Sequence, residues 1–167
     1  MTYYVALGSN LGDRERHLRR AVEALSLLPG TRLAAVSSVY ETDPVGYADQ
    51  PRFYNAAVRL ESGLTCRALL GCCLGIEAAM GRRRIRKDGP RTLDLDLLCG
   101  DAPPQSDEEL VFPHPRMLER AFVLAPLCEI CPQPGYHSAL ARLDRSGIRR
   151  LGITLTPSDG NLPEGEA

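Results

Sequence analysis

Tryptophan is absent from the chain, and of its 20 lysine and arginine side chains only Lys87 is a lysine. The basic character is an arginine character, so any arginine cluster partly reflects that bias. Net charge is nearly missing as well: 20 basic against 21 acidic residues leave -1 at pH 7, which argues against a general nucleic-acid-binding or membrane-surface role. No apolar run approaches the roughly 20 residues of a membrane helix, so no membrane partner is expected. No charged stretch followed by an apolar one opens the chain. The six cysteines, Cys66, Cys72, Cys73, Cys99, Cys128 and Cys131, are therefore expected as reduced thiols in the cytoplasm. Cys128 and Cys131 have zinc-ligand spacing, but no second pair matches it, and they are read as buried small side chains. Internal repeats are also lacking.

What is there is 167 residues with 44% hydrophobic content, enough to bury roughly two thirds of the unfolded surface around one core. A single domain is expected over residues 1–156. The Pro-, Gly- and acid-rich segment 157–167 reads as a disordered tail.

Tyr3 to Leu7 is a β-prone run ending in the turn Gly8-Ser9-Asn10, after which Asp13 can cap a helix. Leu18, Ala21, Val22, Leu25 and Leu28 recur at helical spacing until Pro29-Gly30 stops them. A strand is expected over about 33–40. Residues 41–51 contain Pro44, Gly46 and Pro51 and read as a long functional loop. Residues 53–61 alternate as a strand, which puts Phe53 and Asn55 on one side. Thr65 caps a second helix, striped by Leu69, Leu70, Cys73, Ile76 and Met80 and ending at Gly81. Glu77 falls at the edge of that stripe, as a rim carboxylate in water or as a site residue. A strand follows over 92–99, then a helix over about 116–127 with Pro115 in its first turn, and weak strand signals close the domain. The order predicts an α+β sandwich: two helices cover one face of a mostly antiparallel sheet, and the other face is free for ligands.

The chemistry concentrates after the second helix. Gly81-Arg82-Arg83-Arg84-Ile85-Arg86-Lys87-Asp88-Gly89-Pro90-Arg91 leads directly into Thr92-Leu93-Asp94-Leu95-Asp96. Strand alternation sends Asp94 and Asp96 to one face with Cα atoms roughly 6.5 to 7 Å apart, while Leu93, Leu95 and Leu97 face the core. Two such acids are a solvated face or the seat of a divalent cation, and the cations beside them favour a metal-polyphosphate site. Gly89-Pro90 is a stiff turn that fixes how Arg91 enters the strand. Arg82, Arg84, Arg86 and Lys87 lie between glycines, as a loop able to close over phosphates or as a solvated basic turn. His114, between Pro113 and Pro115, could donate to a phosphate oxygen or serve in packing. Phe53 and Asn55 together suit a flat heteroaromatic ring with amide-like edges, although Phe53 alone would be read as core.

In order along the chain, Gly8-Ser9-Asn10, Asp49-Gln50-Pro51 with Phe53 and Asn55, Ile76-Glu77 with Gly81-Arg82, Gly89-Pro90-Arg91-Thr92-Leu93-Asp94-Leu95-Asp96, and Pro113-His114-Pro115 with Arg120 and Phe122 resemble the 6-hydroxymethyl-7,8-dihydropterin pyrophosphokinases of folate biosynthesis. The resemblance spans nearly the whole chain. It implies a ferredoxin-like αβα sandwich and transfer of pyrophosphate from ATP to the pterin hydroxymethyl group, releasing AMP. It implies two Mg²⁺ ions on Asp94 and Asp96, and a catalytic set of Arg82, Arg91, Asp94 and Asp96. Glu77, Arg82, Arg84, Arg91, Leu97, His114 and Arg120 would contact ATP, and Thr42, Val45, Phe53, Asn55 and Phe122 would form the pterin pocket. The partners implied are these two small molecules, with the chain a monomer. Asp88 stands where members often have Trp, Asp43 where they often have Pro, and Leu74 where some have a polar residue. Glu109 and Val111 differ near the adenine side.

Two other classes compete. Another Mg²⁺-dependent transferase with an Asp-x-Asp strand would explain the acids but not Phe53 with Asn55. A ferredoxin-like RNA-binding module would use the arginines, but it lacks evident sheet-face aromatics and its acids would repel RNA.

Overall fold

The structure, a computed structural model, describes residues 1–83 and 85–157. Apart from residue 157, the expected tail lies outside the described residues, as does Arg84. Chain order is β1 (Thr2–Ser9), α1 (Arg14–Ser26), β2 (Thr31–Val36), β3 (Tyr40–Thr42), β4 (Phe53–Ser62), α2 (Cys66–Ala79), β5 (Asp94–Gly100), the short pair β6 (Gln105–Ser106) and β7 (Val111–Phe112), a 3-10 turn (Met117–Glu119), α3 (Ala121–Ile130), α4 (Pro134–Ala141) and β8 (Ile148–Arg150).

Both predicted helix starts carry the expected caps. The Asp13 carboxylate accepts from the Arg16 N–H at 3.1 Å and the Thr65 hydroxyl from the Ala68 N–H at 3.2 Å, each worth about 1 kcal/mol. Leu18, Ala21, Val22 and Leu25 are fully buried, and each large side chain among them contributes roughly 1.5–3 kcal/mol by leaving water. They pack with Leu69 and Cys73 of α2 onto Tyr3, Val5, Leu7, Ala56, Val58, Leu60, Leu95 and Leu97 of the sheet. The main sheet runs β5-β1-β4-β3-β8, and β2 shares the β3 edge of β4; every pairing is antiparallel.

Three expectations need correction. The strand expected over 33–40 is two strands, β2 and β3, because the chain breaks at 37–39 and the Ser37 hydroxyl instead accepts from the Ala57 N–H at 2.8 Å. The helix expected from 116 starts at Ala121, after the 3-10 turn. The second sheet face is only partly free. There Val123, Leu124 and Leu127 of α3 cover Tyr4, Leu98 and Cys99, with α4 behind them, giving three αβα layers. All six cysteines are unpaired, and burial pushes Cys73 up to about 12 and Cys99 up to about 11, as befits inert core thiols.

Helix α3 shields only one end of its face. At the other end the upward-pointing positions of β1, β4 and β5 carry Gly8, Asn55, Asp94 and Asp96, and these stay open as a cleft.

Candidate active site

Strand register builds the floor of this cleft. Residues paired directly across antiparallel strands point the same way. Asp94, Gly8, Asn55 and Tyr40 are successive partners across β5, β1, β4 and β3, and Asp96 is paired with Ala6 in the next row. Asp94 and Asn55 are thus two strand spacings apart, roughly 9.5 Å. Gly8 keeps the space between them clear: a Cβ there would lie 2.9 Å from Asn55 Oδ1 and 3.9 Å from Asp94 Cβ. The cleft holds about 630 Å³ and is lined by Thr42, Val45, Phe53, Asn55, Arg91, Asp94, Asp96, Arg120 and Phe122, nine of the residues expected from the sequence.

At one end the site is charged. Arg82 Nη1 lies 2.6 Å from Glu77 Oε1 and 2.6 Å from Asp94 Oδ1, and Arg91 Nη1 lies 2.6 Å from Asp94 Oδ2. Asp94 therefore has a guanidinium on each oxygen. Asp96 does not fare as well. Burial, and next the Asp94 charge, push it up to about 6 against the opposing pull of Arg120. Such a pair is short of positive charge and suits a divalent cation. Among the described residues no group of three His, Cys, Asp or Glu could hold a metal ion. Arg82 and Arg91 also line an adjoining recess of about 380 Å³ formed by the basic loop.

Glu77 is not a rim residue in water. At 4% exposure it lies beneath the site, accepting from the Leu95 N–H at 2.8 Å while it holds Arg82. It fastens β5 and the first arginine of the loop to one carboxylate. His114 is held by the backbone: its N–H donates to Leu98 O at 2.7 Å, and Nδ1 accepts from the Arg116 N–H at 3.1 Å. That bond leaves the ring proton on Nε2, free to donate. Burial, then Arg120 and Arg116, lower its pKa. Leu97 points away from the cleft into the core, 6% exposed, so only its main chain could meet a ligand.

At the other end the floor is uncharged, and the acids Asp43 and Asp144 stand only at its rim. Asn55 Nδ2 donates to Thr42 Oγ1 at 2.6 Å, and both residues are buried. The two aromatic rings are each faced by an arginine from the charged end: Arg91 Cζ lies 5.5 Å from the Phe53 ring centre and Arg120 Cζ 5.8 Å from that of Phe122. Val45 is exposed at the mouth.

A model of the 7,8-dihydro-6-hydroxymethylpterin-pyrophosphokinase (HPPK) family matches residues 4–132. The chain belongs to the HPPK family. It is 49% identical over 146 residues to the 2-amino-4-hydroxy-6-hydroxymethyldihydropteridine pyrophosphokinase of Bacillus subtilis, covering 87% of each chain. It is also 49% identical over 153 residues to the enzyme of the same name from Methylorubrum extorquens, covering 89% of this chain and 97% of that one. A solved HPPK-DHPS in complex with substrates superposes with a TM-score of 0.66 at 13% identity, over 91% of this chain and 47% of that one. The chain thus spans about half the length of that solved chain, and the likeness bears on the fold alone.

Several residues of this cleft are not singled out as ligands by sequence. Gly8 and Asn10 stand in the sequence as a turn and as part of the family resemblance, with no role assigned to either. Asn10, 1% exposed, bonds the Arg91 N–H through Oδ1 at 2.9 Å and donates to Gln50 Oε1 at 2.9 Å and Pro51 O at 3.0 Å, so it pins Arg91 and the 41–51 loop to the end of β1. Arg116 and the segment 143–148 also line the cleft, and nothing periodic in the sequence marks them.

Proposed function

We propose that this chain carries out the reaction for which its family is named, moving pyrophosphate from ATP to 6-hydroxymethyl-7,8-dihydropterin in folate biosynthesis, with the triphosphate at the charged end of the cleft and the pterin at the neutral end. The observation that carries this division is the register row in which Asp94 and Asn55 stand two strands apart across Gly8. A bicyclic ring read by Asn55 then reaches toward the carboxylates with its hydroxymethyl group.

Thr42 holds the Asn55 amide, whose remaining donor and acceptor meet the ring edge, while Phe53 and Phe122 take its two faces. Arg82, Arg91, Arg120 and the Nε2–H of His114 donate to phosphate oxygens, and Arg84 is assigned with them from the resemblance. Asp94 and Asp96 would hold two Mg²⁺ ions, which would neutralise the polyphosphate and ease loss of the hydroxyl proton. The pterin oxygen attacks the β-phosphorus, the bond from that phosphorus to the α,β-bridging oxygen breaks, AMP leaves with that oxygen, and the hydroxyl proton passes to solvent. No protein nucleophile is required; alignment and charge neutralisation suffice. Glu77 acts through Arg82, and Leu97 contributes its main chain only.

Residues 1–156 are proposed to work as one domain and as a cytoplasmic monomer, since a single chain supplies every wall of the cleft. Sedimentation at micromolar concentration checks the monomer. Product analysis tests the reaction: AMP with a diphosphorylated pterin is expected, whereas free pyrophosphate or a nucleoside diphosphate would point to another transferase. Arg82→Ala is expected to lower kcat more than it raises KM; an effect on KM alone would move Arg82 to ground-state binding.

A further inference from the structure

The segment after α4 lies outside the residues that the family model matches, yet it forms part of the cleft. Leu143, Asp144, Ser146, Gly147 and Ile148 all line it. Their place follows from register. On the cleft face Phe53 of β4 is paired with Thr42 of β3, and Thr42 with Ile148 of β8. The three side chains stand in one row, and β8 is the last strand on that side of the sheet. Ile148 is therefore the next side chain beyond Thr42, on the side opposite to Asp94.

This edge is firmly held. The Asp43 N–H donates to Gly147 O at 3.0 Å, a bond that a proline at position 43 could not make. A Cβ at Gly147 would lie 2.5 Å from Asp43 Oδ2, so glycine lets the carboxylate rest on the backbone there while Arg52 Nε pairs with Oδ1 at 3.1 Å. Arg149 reaches Glu41 at 3.2 Å and Arg150 reaches Glu129 at 3.3 Å, which ties the C-terminal part of β8 to β3 and to α3. The loop before β8 is closed by Asp144, which accepts from the Ser146 N–H at 2.9 Å and its hydroxyl at 3.1 Å.

We infer that segment 143–148 is the far wall of the pterin pocket and that Ile148 is a specificity-determining residue, limiting how bulky the ring edge remote from the hydroxymethyl group can be. The inference rests on the pyrophosphokinase reading. Asn55 and Thr42 read that edge with polar atoms, and Ile148 beside them offers a branched apolar side chain fixed on a strand. A pterin carrying a methyl on its 2-amino group would meet this wall, whereas the unsubstituted amine would not.

Two variants of the full-length chain test this, with pterin binding followed by its own fluorescence and binding of a non-hydrolysable ATP analogue with Mg²⁺ by calorimetry. Ile148→Trp fills the pocket and is expected to weaken 6-hydroxymethylpterin binding roughly 30-fold while leaving nucleotide affinity and Tm unchanged. Ile148→Ala is expected to improve binding of the 2-methylamino analogue roughly tenfold relative to the wild type. Wild-type pterin affinity in the tryptophan variant overturns the wall. If that variant fails to fold, the alanine variant decides: a preference between the two pterins identical to the wild type overturns the inference. A wild-type chain that binds no pterin overturns the pyrophosphokinase reading itself, a result distinguishable from either.

Discussion

The two ends of the cleft are built by different physics. At the phosphate end Asp94 carries two guanidiniums, Glu77 sits beneath one of them, and Asp96 is left with its pKa pushed up to about 6. Positions there are set by charges that bind one another until a ligand offers better partners. At the pterin end the floor side chains are neutral, with Asp43 and Asp144 only at the rim, and are placed by backbone register and by a single buried bond from Asn55 to Thr42. That end is arranged before any ligand arrives. Changes at the first end should therefore register in turnover, metal use and stability, and changes at the second in pterin affinity alone.

The strongest way to break the comparison is at the carboxylates. Asp94→Ala or Asp96→Ala is expected to reduce AMP formation about a thousandfold, while pterin binding measured without nucleotide changes little. Turnover near that of the wild type in either variant, or pterin affinity lost in parallel, would erase the division between the ends. Next in size is Glu77→Ala. It leaves the Leu95 N–H unpaired and Arg82 with Asp94 as its one carboxylate partner of the two, which should cost about 1–3 kcal/mol in denaturant unfolding. Were Glu77 chiefly a nucleotide ligand, ATP affinity would fall while stability held.

Much of the phosphate end was legible in the sequence because its signal is local. Arg91, Asp94 and Asp96 lie within a few residues, and strand alternation alone puts the two acids together. Phe53 and Asn55 were legible for the same reason. Caps and apolar spacing gave α1 and α2 nearly to the residue. What escaped depended on contacts distant in sequence. The helical pattern leaves Glu77 open between a rim carboxylate and a site residue because its partners, Arg82 and the Leu95 backbone, come from other elements. The closing α4 escapes the pattern and β8 gives only a weak strand signal, because α4 buries none of its residues and β8 is three residues long, so neither shows a clear period. The role of Ile148 depends on which strand β3 pairs with, and a linear pattern carries no such information.

Asn55→Ala gives a smaller effect with the opposite signature. The loss of one buried amide should weaken pterin binding by about 10- to 100-fold and leave the affinity for an ATP analogue unchanged. Gly8→Ala should act in the same direction, because its methyl would lie 2.9 Å from Asn55 Oδ1. Titrating each variant with both ligands separately checks this, and equal losses for the two ligands would mean that the ends are not independent.

The smallest effect concerns pH. Burial first, then Arg120 and Arg116, lower the pKa of His114 below the ordinary 6.5 of an imidazole, and Asp94 opposes them. The unfolded chain then binds more protons than the folded one just below pH 6.5. The contribution of the neutral imidazole is fully present above that pH and is lost as pH falls through the lowered folded value. Urea midpoints compared between wild type and His114→Gln from pH 8 to pH 5 should show the wild type losing ground to the variant only below about 6.5. A difference that stays constant across this range would mean that His114 is not held neutral. Pterin binding without nucleotide, followed over the same range, should differ little between the two proteins, because Asn55, Thr42 and Ile148 carry no proton that His114 could influence.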